Sequence, residues 1–204
     1  MKYMLQLSIV FIVLVLVAAC EKDDTTIGGT PSELGAVGME YTSGGSSAAG
    51  ATNINMEVTS RTDGVSSFSG TAVVSSQALK NILSNFPGTT IDGNNVTVDG
   101  VELKITNEGV ESITGFLPGV LVKYNSKVGD TYPIPGTNKV RTVVSKSTDD
   151  DFFWSFLMIK VIKVEEPTNR LGVKKTTYIG NHKFGIVEIV YEMDDGSVIE
   201  FGIF

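Results

Sequence analysis

Residues 53–74 read NINMEVTSRTDGVSSFSGTAVV, and their pattern is the strongest indication of the fold class. Ile54, Met56 and Val58 alternate with polar residues, which is the two-residue period of a half-buried β-strand. Asp63-Gly64 follows, and such a pair tolerates the positive φ angles of a tight hairpin turn. The apolar positions from Phe68 to Val74 then predict the returning strand. The segment therefore predicts an antiparallel hairpin.

Similar turn sequences recur along the chain. Further turns are predicted at Asp92-Gly93, Asp99-Gly100, Asn107-Glu108-Gly109 and Asp195-Gly196. Short strands are predicted at 39–41, 96–98, 101–105 and 110–113, and a closing hairpin at 184–193 and 197–204. These segments together predict a β meander.

One stretch departs from the β pattern. Leu79, Ile82, Leu83 and Phe86 follow helical spacing, with Ser75 or Ser76 available as a cap and Pro87-Gly88 as a stop. The predicted fold is therefore mainly antiparallel β, an α+β roll or an open barrel-like sandwich. One short helix near 76–86 covers a sheet face.

Residues 151–164, DFFWSFLMIKVIKV, are the most apolar stretch after residue 20. Two structures compete for them. A helix could begin at Asp149 to Asp151, because acidic residues suit a helix N-terminus. The aromatic and β-branched side chains favour a long strand buried on both faces, and we predict that strand.

The N-terminal segment has the features of a secretory signal: Lys2, an apolar run from Ile9 to Ala19, and small residues at its end. The run is too short for the ~20 residues of a membrane-spanning helix. Val17-Ala18-Ala19-Cys20 resembles the lipobox of bacterial lipoproteins. The resemblance implies that Cys20 carries lipid, such as palmitate, and that cleavage occurs before it. The alternative is an ordinary signal peptide in which Cys20, the single cysteine, is incidental.

The segment Glu21-Lys22-Asp23-Asp24 resembles the acidic export signal of some Gram-negative lipoproteins. This resemblance implies an outer-membrane, cell-surface location. A solvated linker is the alternative, with the anchored domain on the periplasmic face.

We divide the chain into a signal peptide (1–19), a flexible acidic and Gly-Ser-Thr tether (20–38) and one β-rich domain (39–204). The C-terminal stretch YIGNHKFGIVEIVYEMDDGSVIEF resembles the closing hairpin of β-rich lipoprotein domains of Gram-negative bacteria. That resemblance implies no activity.

Composition narrows the chemistry. With 23 acidic against 16 basic side chains and a net charge of −7, the chain lacks the basic character that nucleic-acid binding requires. His182 is the single histidine, no G-x-S-x-G sequence occurs, and no catalytic residue, metal ligand or cofactor is predicted. The acidic clusters Asp149–Asp151 and Glu165-Glu166 are interpreted as solvated rather than catalytic.

Three functions remain open. We expect a non-catalytic binding or accessory module, anchored in the membrane, with an outer-membrane protein or a glycan as partner and an exposed apolar patch. The alternative is a carrier of a lipid or other hydrophobic ligand, with an apolar cavity of several hundred Å³. An acid-catalysed hydrolase is the third. Four aromatic residues could contact a ligand or belong to the core: Phe152, Phe153, Trp154 and Phe156.

Overall fold

The structure, a computed structural model, describes residues 25–42, 50–168 and 172–204. Within these residues the chain forms two antiparallel sheets, a separate two-stranded hairpin and one α-helix. The sheets stay open and do not close into a barrel. The predicted fold class, mainly antiparallel β with a short helix, is confirmed.

The first sheet has the order β1-β2-β3-β5-β6-β7, with β4 also paired to β5. Its strands are β1 (Glu40–Thr42), β2 (Ala51–Thr62), β3 (Val65–Val74), β4 (Thr90–Asp92), β5 (Asn95–Thr106), β6 (Gly109–Ser112) and β7 (Gly119–Lys123). The predicted turn at Asp63-Gly64 joins β2 to β3, and both residues have positive φ, 52° and 80°.

The second sheet has the order β15-β14-β13-β12-β9-β8. Its strands are β8 (Thr131–Pro133), β9 (Val140–Lys146), β12 (Ile162–Pro167), β13 (Val173–Asn181), β14 (Gly185–Met193) and β15 (Val198–Gly202). The predicted closing hairpin is confirmed as β14 and β15, which pair antiparallel.

The helix α1 (Gln77–Leu83) lies within the predicted range. The Ser76 hydroxyl accepts a hydrogen bond from the Leu79 amide at 3.3 Å, which satisfies one of the free donors of the first turn. Leu79 and Ile82 are buried and pack into the core. The apolar stripe that predicted the helix is therefore the face that holds it in place.

The two sheets pack face to face, and their inner side chains form one core. Val58 and Phe68 come from the first sheet, and Tyr178 and Tyr191 come from the second. At one corner, Thr42 and Phe204 exchange two backbone hydrogen bonds of 3.1 and 3.0 Å. This pair ties the edge strand of one sheet to the end of the chain beside the other.

The predicted turn at Asp99-Gly100 is wrong. β5 continues through it as one strand, with Asp99 opposite Ser69 and Val101 opposite Phe68. Gly100, at φ +82°, is the extra residue of a β-bulge. The positive φ that Gly-containing pairs allow serves a bulge as well as a turn, so the sequence pattern does not distinguish them.

The predicted long strand over 151–164 is also wrong. The chain forms a tight hairpin of β10 (Phe152–Trp154) and β11 (Leu157–Ile159), and β12 begins only at Ile162. The two turn residues, Ser155 and Phe156, have φ of 44° and 75°. Neither Ser nor Phe favours that conformation, so the sequence carries no turn signal there.

Residues 25–38, within the segment predicted as a tether, lie against the first sheet. Ile27 is only 1% exposed, and its amide donates to Glu111 Oε2 at 3.0 Å. Pro31 forms a β-bridge with Thr106, and a 3₁₀ turn follows at Glu33–Gly35.

The predicted signal peptide (1–19), Cys20 and the export segment (21–24) lie outside the described residues. In the described part of the chain, no helix has the length and apolar character needed to cross a membrane.

Candidate functional site

An apolar cavity of about 200 Å³ lies between the two sheets. Strands β2, β3 and β5 form one wall, β14 and β15 form the opposite wall, and α1 contributes Leu79 and Leu83. Ile54, Met56 and Phe201 line it and are half-buried, so these side chains mark the side on which it approaches solvent. The cavity therefore continues from the core toward the surface.

The surface of the cavity is almost entirely apolar. None of the residues that line it carries a charge. Tyr41 lines one end, where its hydroxyl donates to the Leu34 carbonyl oxygen. Burial raises the pKa of Tyr41 to about 12, so this group stays neutral at physiological pH. The space suits a neutral hydrocarbon group and offers nothing to pair with a buried charge.

The volume sets the size of the group that fits. An engineered apolar cavity of about 150 Å³ binds benzene, whereas sites for drug-sized ligands occupy about 300–1,000 Å³. The volume of this cavity lies between those two values, and it is smaller than the several hundred Å³ expected for a carrier. It accommodates a small ring or part of an alkyl chain.

The four aromatic residues singled out in the sequence lie outside this cavity. They belong to the β10–β11 hairpin, which covers the outer face of the second sheet. Phe152 and Trp154 are half-buried against a small cluster that includes Ile159 and Val187.

The other two aromatic residues of this hairpin face solvent. Phe153 is 69% exposed and Phe156 is 92% exposed. The structure thus divides the four aromatics into a packed pair and an exposed pair.

The paired carboxylates considered for hydrolysis point to opposite faces of β12. Glu166 is fully buried, where its Oε2 accepts from Arg141 Nε at 2.7 Å and from the Tyr178 hydroxyl at 3.0 Å. Glu165 lies on the other face, 2.7 Å from Lys175 Nζ. The two carboxylates are therefore not brought together across a cleft.

Arg141 explains why Glu166 is buried. Its guanidinium also donates to the carbonyl oxygens of Leu117, Pro118 and Val120, at 2.6, 3.0 and 3.0 Å. These bonds fasten the loop before β7 in the first sheet to β9 in the second. The ion pair is thus a structural joint between the sheets.

The remaining candidates of the sequence lie on the surface. His182 is exposed in the turn between β13 and β14, and Asp149 to Asp151 are exposed in the loop before β10. Over the described ranges, no group of three or more His, Cys, Asp or Glu side chains is arranged to hold a metal ion.

The residues that line the cavity were not predicted as a site. The alternation of apolar and polar residues identified Ile54, Met56 and Phe68 as core positions. A strand that packs tightly and a strand that borders a cavity show the same alternation. Gly70 and Ala72 on β3 supply part of the room, because small side chains leave volume between facing sheets. Only the distance between the sheets reveals it.

Comparisons with protein-family models, with curated proteins and with solved structures found no match to this chain.

Proposed function

We propose that this chain is an outer-membrane lipid-anchored protein that acts as a non-catalytic binding module and holds an apolar ligand between its two sheets. The observation that supports an apolar ligand is the cavity of about 200 Å³, whose lining residues carry no charge. The lipid anchor rests on the resemblance of Val17-Ala18-Ala19-Cys20 to a lipobox. The acidic residues after Cys20 support display on the cell surface.

The character of the wall defines the ligand class. A hydrocarbon chain or small ring gains about 25 cal/mol for each Å² of apolar surface that it removes from water. A charged headgroup would have to remain outside, because the wall offers no charged partner. The ligand is therefore a lipid or similar molecule that inserts only its apolar end.

A second candidate is the accessory role, in which the domain binds an outer-membrane protein or a glycan. The exposed side chains of the β10–β11 hairpin favour it, because exposed apolar patches mark interaction surfaces. Neither candidate requires catalysis. The separation of Glu165 and Glu166 described above supports a non-catalytic module over a hydrolase.

Mass spectrometry of the intact lipoprotein, extracted gently from its own membrane, tests both parts of this proposal. The denatured chain should begin at Cys20 and carry covalent lipid, and Cys20→Ala should remove that lipid. The native protein should carry an additional, lipid-sized mass that is lost on denaturation.

Two neighbouring substitutions on β3 identify where that mass binds. Ala72→Phe places a ring in the cavity and should abolish the non-covalent mass. Val73→Phe alters a residue outside the cavity wall and should leave it bound. Equal occupancy in both variants would count against the cavity. A co-purifying protein chain in place of a lipid mass would favour the accessory role.

A further inference from the structure

The β10–β11 hairpin presents a compact apolar surface. Phe153 and Met158 are cross-strand partners, 69% and 51% exposed, and Phe156 and Leu157 beside them are 92% and 50% exposed. No charged residue occurs from Phe152 to Ile159, whereas Asp151 and Lys160 stand at the two ends. The hairpin thus has an apolar tip and a charged base.

The tip is held in an unfavourable backbone conformation. Ser155 and Phe156 both have positive φ, 44° and 75°, at positions where Asn-Gly or Gly-containing pairs are preferred. A bulky residue in this region costs on the order of 1–2 kcal/mol. Phe156 gains little burial in return, because its ring is 92% exposed. Folding alone does not account for a phenylalanine at this position.

The hairpin is firmly attached next to its turn, through Trp154, the last residue of β10. Trp154 Nε1 donates to the Ile203 carbonyl oxygen at 2.8 Å. Its ring lies 4.5 Å from that of Phe184 and 5.7 Å from that of Phe204, measured between centroids. The tip is therefore presented by a rigid support.

The hairpin lies at the same end of the molecule as residues 27–34. Ile27 lies beside the β5–β6 turn, where its carbonyl oxygen accepts from Lys104 Nζ at 2.6 Å. Further along this segment, Leu34 lies against Gly185. A Cβ atom placed on that glycine would be only 3.3 Å from Leu34 Cδ1. Gly185 follows Phe184, the ring that contacts Trp154.

The predicted anchor keeps this end close to the bilayer. The buried Ile27 lies seven positions after Cys20, and seven steps of about 3.3–3.6 Å reach at most about 25 Å. A lipid on Cys20 would therefore hold the end that carries the hairpin near the membrane surface.

We propose that the tip of the β10–β11 hairpin, formed by Phe153, Phe156, Leu157 and Met158, inserts into the interfacial region of the bilayer to which the chain is anchored. The four side chains form one uncharged, exposed surface on the hairpin. Apolar surfaces of this kind lie about 5–10 Å deep at the boundary between headgroups and acyl chains. The inference rests on the proposed anchor, which it extends by fixing the orientation of the domain.

The only tryptophan, Trp154, lies next to the tip and reports insertion. The intact lipoprotein is reconstituted into phosphatidylcholine vesicles with ordinary or brominated acyl chains. The emission of Trp154 should be markedly lower in the brominated vesicles. Because the tip is uncharged, this loss should persist at high salt.

The matched variants alter exposed apolar side chains at opposite ends of the molecule. Phe153→Ser combined with Phe156→Ser should restore most of the lost emission. Val198→Ser, which changes a side chain 54% exposed at the start of β15, should be quenched like the natural chain. The lipid on Cys20 keeps every variant on the vesicle, so quenching reports the hairpin and not vesicle binding.

Equal emission in the two kinds of vesicle, from a lipidated and vesicle-bound chain, would overturn the proposal. So would shielding of Trp154 only in the presence of a co-purified protein chain. The mass of the Cys20 peptide tests the anchor separately. If that peptide lacked lipid while the unlipidated chain still sedimented with vesicles, only the proposed anchor would fail.

Discussion

Arg141 and Glu166 form an ion pair in which both side chains are fully buried. Taking two charges out of water is costly, and it is tolerated when the geometry is good and further hydrogen bonds are made. Arg141 satisfies its other donors with three backbone carbonyls of residues 117–120. At the scale of the residue, this pair determines how one edge of the first sheet is joined to the second.

Neutralising Glu166 should therefore weaken the fold strongly. Glu166→Gln leaves the Arg141 charge buried without a counter-charge, and we expect the free energy of unfolding to fall by about 3–5 kcal/mol. Glu165→Gln, next along the strand, removes a pair whose side chains are each 34% exposed and should cost at most about 1 kcal/mol. Urea unfolding measures both. Similar losses in the two variants would contradict the role given to the buried pair.

The β10–β11 hairpin shows how an element can be locally unfavourable and still persist. Its turn uses Ser155 and Phe156 at positive φ, and its outer surface is apolar. Its inner surface compensates, because Phe152 and Ile159 pack on Val161, Ile179 and Val187 of the small outer cluster. The element is stabilised from below, which leaves its tip available for interaction.

Relieving the turn should stabilise the protein. Phe156→Gly removes the penalty of positive φ and sacrifices almost no burial. Glycine is more flexible in the unfolded chain, and this offsets part of the benefit. We therefore expect the free energy of unfolding to rise by about 0.5–1 kcal/mol. Phe153→Gly introduces glycine into a strand and should instead lower stability. Calorimetry measures whether each substitution raises or lowers the stability. Lower stability in both variants would mean that the turn is not strained.

At the scale of the whole molecule, one end gathers the N-terminal segment, the β5–β6 turn and the exposed hairpin. This asymmetry gives the domain a membrane-facing end if Cys20 carries lipid. The opposite end, with the turn between β14 and β15, then points away from the bilayer. The location of that bilayer surface, outside or inside the cell envelope, is a separate prediction.

We expect the predicted export segment to determine which side of the membrane the domain faces. A membrane-impermeant amine reagent added to intact cells should label exposed lysines such as Lys174, which is 66% exposed. Replacing Glu21, Asp23 and Asp24 by Ala should prevent this labelling, because the acidic signal is lost. Labelling should return after the outer membrane is permeabilised. Unchanged labelling of the variant on intact cells would show that the acidic residues are only a linker.

The fold class followed from local patterns. Alternation in β2, the Asp63-Gly64 turn and the helical spacing of Leu79 and Ile82 are properties of neighbouring residues, so the sequence was sufficient to predict those elements. It was insufficient where one pattern serves two structures. Gly100 permits either a turn or a bulge, and Ser155-Phe156 adopts positive φ only because the hairpin is held by the sheet beneath it.

Composition and patterns among near neighbours were enough to predict the β-rich architecture and the short helix, and they carry the acidic character and the resemblance to a lipoprotein signal. The remaining features depend on tertiary structure. The cavity exists because the two sheets are separated between β3 and β14. Glu165 and Glu166 are kept apart because they lie on opposite faces of one strand. Phe156 is exposed because the hairpin is held by packing on its other surface. Such relations join residues far apart in sequence, and no local pattern records them.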